Sequence, residues 1–197
     1  MQTLTVIIPT YNEAQYLEGA LYGLKFVDEI ILVDSMSSDA TVQIATDYGC
    51  KVISRKFDNF SNQKNYALQF ATSDWVLFLD GDERITEALQ KEILTAIESN
   101  THTGYKLNFP HFYMNRFLYH HYNNVTRLVK RTNCHFEGNV HEKLIVDGSI
   151  GTLKNKVLHY TYKGLVHYIG KKDSYAWFQA DQQRSKGKGM SYFHLTF

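Results

Sequence analysis

LFLDGDERI, residues 77–85, decides how this chain is read. An apolar run beginning at Trp75 stops abruptly in Asp80, Gly81, Asp82, Glu83 and Arg84, so a buried strand delivers clustered carboxylates to one point. Upstream, TLTVII (3–8, stopped by Pro9), EIILV (29–33) and KVIS (51–54) read as three more buried strands. Between them lie helical patterns. Asn12 is placed to cap the first, which carries Ala14, Leu17, Leu21 and Leu24; the second carries Thr41, Ile44, Ala45 and Tyr48 on one face. SNQKNYALQFA (61–71) gives a third, and Thr86 caps a fourth with Leu89, Ile93, Ala96 and Ile97. Strands alternating with helices of this length predict an α/β fold, a Rossmann-like, mostly parallel mixed sheet with helices on both faces. Sheets of this kind bind ligands at the carboxyl ends of their strands, which puts PTYNE (9–13), DSMSSD (34–39) and DGDE (80–83) on one rim. Farther along, GYKLNF, VTRLVKR and VHEKLIV, followed by the turn Asp147-Gly148, read as shorter strands and a hairpin.

The chain's 197 residues suffice for one domain with a sizeable core, and 44% hydrophobic with 14% aromatic residues excludes a disordered chain. Cys50 and Cys134 are far apart without Cys-x-x-Cys spacing, which argues against a zinc site or a disulfide framework and fits a reducing cytoplasm. The amino terminus lacks the basic region of a secretory signal, and no stretch approaches the ~18 apolar residues of a membrane span. Charge is unevenly spread. Residues 1–153 hold 13 basic and 18 acidic residues, whereas 154–197 hold 8 and 2. That basic tail also contains Trp177, Phe178 and several tyrosines, a mix suited to an anionic membrane surface or to a solvated helix with core aromatics. No nucleic-acid partner is expected.

Asp80 and Asp82 flank Gly81, so a sharp turn can aim both at one cation. Two unit charges ~5 Å apart repel by about 3 kcal/mol at an effective dielectric of ~20, and a divalent ion reverses that sign. Oxygen ligands favour Mg2+ or Mn2+, which share their shell with water and substrate phosphates. An acidic solvated turn is the plainer alternative. With neither a Gly-x-Gly-x-x-Gly after the first strand nor a P-loop, a phosphate would be held by the metal and by side chains, Lys64 among them.

PTYNE, VDSMSSDAT (33–41), NQKNYAL (62–68), FLDGDER (78–84), TRLVKR (126–131), FEGNVHEKL (136–144) and LHYTY (158–162) together resemble family 2 glycosyltransferases, in particular the bacterial lipopolysaccharide-core group. That resemblance implies the glycosyltransferase A-type fold and transfer of a sugar, with inversion, from a nucleotide-diphosphate sugar using a divalent metal (Mn2+ or Mg2+). It implies a catalytic domain over 1–163, with a nucleotide-sugar half at about 1–100 and an acceptor half at about 101–163, followed by a basic, aromatic helical tail over 164–197 that related enzymes extend. Pro9, Thr10, Tyr11, Asn12 and Glu13 would form the first nucleotide-binding segment, Asp34 would contact the nucleoside and Lys64 the diphosphate. Asp80 and Asp82 would hold the ribose and the metal. Met36 departs from the glycine that the resemblance makes usual in the motif after the second strand, VDSMSSDAT.

Inverting transfer needs a base for the acceptor hydroxyl and a Lewis acid for the departing nucleoside diphosphate. Glu142 is the candidate base and Glu137 the fallback, either of which could also be a plain surface charge. His159 is a candidate metal ligand, and Arg127, Lys130 and Arg131 could meet an anionic acceptor or alternate outward along a strand. The expected reaction moves a hexose, glucose foremost, from a UDP-sugar to a lipid-linked or cell-envelope glycan, at the cytoplasmic face of the inner membrane with peripheral contact to anionic lipid. Two alternatives stand beside it: a haloacid-dehalogenase-like phosphatase with Asp80 as nucleophile, and a non-catalytic nucleotide-sugar binding module.

Overall fold

The computed structural model describes residues 1–113, 116–138 and 142–160, together with Trp177, Ala180 and Arg184. Most of the 164–197 tail expected above lies outside the described residues; Trp177, Ala180 and Arg184 are helical and Trp177 is exposed. Two compact units divide the chain, Met1–Thr161 and Tyr162–Phe197.

The first unit opens with β1 (Leu4–Thr10), α1 (Ala14–Tyr22), β2 (Glu29–Asp34), α2 (Thr41–Asp47), β3 (Lys51–Ser54), α3 (Phe60–Leu68) and β4 (Trp75–Phe78). β5 (Glu83–Ile85), α4 (Glu87–Ser99), β6 (Gly104–Tyr113), β7 (Arg116–Lys130), β8 (Cys134–Glu137), β9 (Lys143–Val146) and β10 (Ile150–His159) follow. The main sheet has the order β3-β2-β1-β4-β7-β6-β10-β5, and β8 and β9 form a separate two-stranded sheet. β1 pairs in parallel with β2 and β4, β2 with β3, and β6 with β10, while β7 runs antiparallel to β4 and β6. The expected mixed α/β sheet is therefore present.

Alternation along β1 sends Leu4, Val6 and Ile8 to one core and Ile7 to the other. The first core takes Leu17 and Leu21 of α1, Ala45 of α2, and Leu89, Ile93 and Ile97 of α4; the second takes Ala67 of α3 and Phe136 of β8. Helices thus cover both faces, and each fully buried leucine or isoleucine contributes about 1.5–3 kcal/mol.

Local readings differ from the structure in four places. β1 continues through Pro9 to Thr10. Ile7 O accepts from Leu79 N, so odd-numbered residues of β1 face β4, and Pro9 comes after the last partner pair, Ile7↔Phe78, where its missing N–H deprives no ladder. Asn12 does not cap α1: its φ of 52° turns the side chain to accept from Ser38 N, and Asp39 Oδ2 accepts from Ala14 N instead. Thr86 does cap α4, accepting from Leu89 N at 3.3 Å. No hairpin forms at Asp147-Gly148, because β9 pairs with β8 whereas β10 pairs with β6 and β5. Finally, β7 begins at Arg116, far earlier than expected, since RFLYHHYNN is held by backbone pairing to β6 and is mostly exposed rather than alternating.

Candidate functional site

DGDE leaves β4 at the carboxyl end of the sheet as a closed turn. Glu83 N donates to Asp80 O at 3.0 Å, and Asp80 N donates to the Glu83 carboxylate at 2.9 Å. Gly81 serves close approach: a Cβ there would lie 3.2 Å from Glu13 Cβ and Cγ, so PTYNE and DGDE touch at this glycine. β5 then pairs with β10, matching Glu83 with His159.

Those pairings build a network of charge. Arg127 of β7 donates through Nη2 to Asp80 Oδ2 and to Glu83 Oε1, both at 3.2 Å. His159 Nε2 lies 3.1 Å from Asp82 Oδ1, with its Nδ1 3.8 Å from Glu83 Oε1. Glu83 is fully buried and Asp82 nearly so, while the Asp80 side chain is partly open. Burial opposes ionisation of Asp80, yet Arg127, Lys64 and His159 outweigh it and hold the carboxyl well below the usual carboxylate range. Glu83 goes the other way. Burial, with Asp80 adding to it and Arg127 opposing, pushes it up to about 7. Burial works against a charged His159, but the Asp82 hydrogen bond and the carboxylates of Glu83 and Asp80 prevail and raise its pKa above the ordinary value.

α3 supplies the opposite wall. Neighbouring helical residues point about 100° apart, and NQKN uses this to reach three partners. Gln63 donates to Ser35 Oγ at 3.0 Å, Lys64 Nζ meets Glu142 Oε1 at 2.9 Å, and the Asn65 amide makes two 2.8 Å bonds with the Phe136 backbone. Lys64, whose residue type is usually on the surface, is buried. Asp34 is also buried at the end of β2, accepting from Ser37 N at 2.9 Å and from the hydroxyls of Ser37 and Thr10.

Lys64, Glu142, Asp80, Asp82 and His159 therefore join one field of charge, into which Arg127 also extends toward Glu142. Thr10, Asn12, Glu13 and Asp34 stand beside it, with Tyr11 exposed and Pro9 in β1. Glu137 is set apart on β8, where its exposed carboxylate meets His135 at 2.9 Å. Sequence reasoning assigned no role to Glu83 or Arg84, and left Arg127 between two readings. A signal for Arg127 exists in the adjacent Leu128 and Val129, both buried, which mark an interior strand. Arg84 packs its guanidinium on the Gly19 backbone and lies 4.4 Å from the Tyr160 ring centre.

As a cation site, Asp82 and His159 give one hard oxygen and one imidazole already facing each other, with Asp80 on the same turn. Among the described residues no group of three or more His, Cys, Asp or Glu side chains is gathered around a single point. Such a set suits an ion that completes its shell with diphosphate and water.

The profile of the family described as glycosyl transferase family 2 matches residues 5–158. The chain belongs to glycosyl transferase family 2. Relatives in the family include an uncharacterized glycosyltransferase of Rickettsia felis, 30% identical over 213 residues that span all of this chain and 75% of that one. The lipopolysaccharide core biosynthesis glycosyltransferase LpsC of Rhizobium meliloti is 27% identical, covering 98% of this chain and 76% of its own length. In fold, residues 1–349 of Staphylococcus aureus TarS match with a TM-score of 0.58 at 18% identity, over 80% of this chain and 60% of that one. The glycosyltransferase A-type fold is thereby shown, and the protein is a glycosyltransferase; the phosphatase and binding-module alternatives for DGDE fall away.

Met36, two residues past Asp34, has a φ of 65° and is exposed. A left-handed backbone costs a non-glycine residue about 1 kcal/mol. Met36→Gly is expected to raise the melting temperature by roughly 2–4 °C in thermal denaturation; a fall would mean that the methionine side chain makes compensating contacts.

Proposed function

We propose that the protein moves a hexose, glucose foremost, from a UDP-sugar to a lipopolysaccharide-core or other cell-envelope glycan, with inversion. The observation that carries this reading is the gathering of Lys64, Glu142, Asp80, Asp82, Arg127 and His159 in one network of charge at the carboxyl end of the sheet, beside Asp34 and PTYNE. Pro9, Thr10, Tyr11, Asn12, Glu13, Asp34 and Lys64 bind the nucleotide-sugar, and Asp80 meets its ribose. Asp82 and His159 would hold Mn2+ or Mg2+, with Asp80 on the same turn as the further candidate ligand, and the ion when bound would supply Lewis-acid stabilisation of the leaving diphosphate. Glu142 is the better base, because it faces Lys64 inside the rim whereas Glu137 points to solvent with His135.

The name of LpsC supports the acceptor class. Our reading places the enzyme peripherally on the cytoplasmic face, with a catalytic domain over 1–163 and its acceptor side at 101–163; separately, no helix among the described residues is long and apolar enough to cross a membrane.

A screen of nucleotide sugars by thermal shift, with and without Mn2+, tests donor and metal together. A true donor at a hundredfold excess over its Kd adds about 2.7 kcal/mol, a shift of several degrees; no response to any nucleotide sugar would overturn the reading. Glu142→Gln should cut transfer by roughly 10²–10⁴-fold while the UDP-sugar shift persists. Unchanged turnover would move the base to Glu137.

A further inference from the structure

We propose that the arm formed by the outer halves of β6 and β7 is the surface through which this enzyme contacts an anionic lipid bilayer. Beyond Asn108 on β6 and Thr126 on β7, the two strands pair only with each other among the described residues. An isolated two-stranded ribbon is marginal in water and gains by resting on something else.

The arm has an inner and an outer set of aromatics. Inside, Phe112 and Phe117 lie 4.7 Å apart and Phe117 meets Tyr160 at 5.4 Å, fastening the arm beside the site. Outside, Leu118, Tyr119 and Tyr122 are 41%, 51% and 46% exposed, and Lys156 Nζ lies within 6 Å of both tyrosine rings. Tyrosine with one apolar and one polar end, backed by lysine, suits the headgroup level of a membrane.

Charge identifies the occupant. The arm itself carries Arg116, His111, His120 and His121, Lys156 of β10 lies against it, and no aspartate or glutamate falls between Ser99 and Phe136 or between Gly148 and Tyr160. β6, β7 and β10 are therefore free of carboxylates, although the chain as a whole is nearly neutral. An anionic surface fits this pattern. The register jumps from Pro110↔Tyr122 to His111↔Leu118, leaving Tyr119, His120 and His121 as a bulge. Bulges blunt the pairing of an edge with a further strand, which disfavours a protein partner added to the sheet. Exposure of these side chains on both faces of the ribbon, rather than along a cleft, disfavours a sugar subsite.

The inference concerns a different surface from the donor site, so each can fail alone. Sedimentation of the full chain with vesicles of phosphatidylglycerol and phosphatidylethanolamine, against phosphatidylcholine alone, measures it. At low salt the protein should pellet with the anionic vesicles and be released as salt is raised. The combined variant L118S/Y119S/Y122S should bind at least roughly tenfold more weakly, with its melting temperature and UDP-sugar shift unchanged; Arg116→Glu, a charge change at an exposed position, should weaken binding in the same direction. Wild-type protein that ignores anionic vesicles, or variants that bind as well as wild type because residues 161–197 make the contact, would overturn the proposal. Loss of glycan transfer without any vesicle binding would assign the arm to the acceptor instead.

Discussion

Arg127→Met is expected to lower the melting temperature by roughly 10 °C at pH 8 and to abolish most transfer activity. Arg127 is the shared partner of Asp80 and Glu83, and Glu83 has no access to solvent. Removing one member of a buried ion pair typically costs 3–5 kcal/mol, because the remaining charge stays buried and uncompensated, and each kcal/mol is worth about 2–4 °C at this chain length. The cost should depend on pH. Burial raises the folded-state pKa of Glu83 from an ordinary 4.5 to about 7, so its contribution to stability is fully present below 4.5 and is lost as pH rises through 7. His159 is raised as well; its contribution is present below 6.5 and is lost as pH rises through its folded value. Wild-type protein without ligands should accordingly lose stability between pH 5 and 8. At pH 5 Glu83 is protonated with or without Arg127, and the substitution then costs only the pairing with the partly open Asp80 carboxylate. At pH 8 the variant must either keep a proton on Glu83 or bury its charge alone, and the penalty is largest. Denaturant melts of both proteins at the two pH values measure this difference. The double variant R127M/E83M should recover stability without recovering activity, as apolar replacements of buried pairs often do. Equal melting of wild type and Arg127→Met at pH 8 would show that Glu83 does not depend on the arginine.

That network marks the limit of what could be read in the sequence. The first four strands and their helices were legible because buried parallel strands are continuous apolar runs and the helices carry apolar residues at three- and four-residue spacing. Their carboxyl ends carry the polar motifs, so PTYNE, DSMSSD and DGDE could be gathered on one rim from strand order alone. Glu83 could not, because its burial depends on β10, which arrives more than sixty residues later and pairs Glu83 with His159. Lys64 has the same character. A single lysine in a helix reads as surface charge, and only the packing of β8 and the approach of Glu142 cover it. The outer half of β7, 116–124, was hidden for a different reason: a ribbon exposed on both faces has no apolar alternation to find, and its backbone pairing leaves no trace in residue types.

Asp82→Asn should reduce transfer by at least 10²-fold while leaving the protein folded, and it carries the second large effect. The substitution keeps shape and removes one negative charge from a turn that holds Asp80, Asp82 and Glu83 within four residues. Without ligands, relief of the repulsion among those like charges offsets the weakened bond to His159, so the protein should stay folded. Donor binding behaves oppositely. If Asp82 and His159 together hold the ion that meets the diphosphate, an amide in place of the carboxylate removes a formal charge and a strong ligand, and the Mn2+-dependent part of the UDP-sugar thermal shift should vanish. His159 provides an independent readout. Burial lowers its affinity for a proton and the Asp82 hydrogen bond leads the influences that raise it, so in Asp82→Asn the imidazole should titrate at lower pH, as seen in the proton NMR of the ring. A functional role predicts both changes together. A downward shift of His159 with full transfer and an intact Mn2+ response would leave Asp82 as a partner of the histidine alone and would move the metal to Asp80.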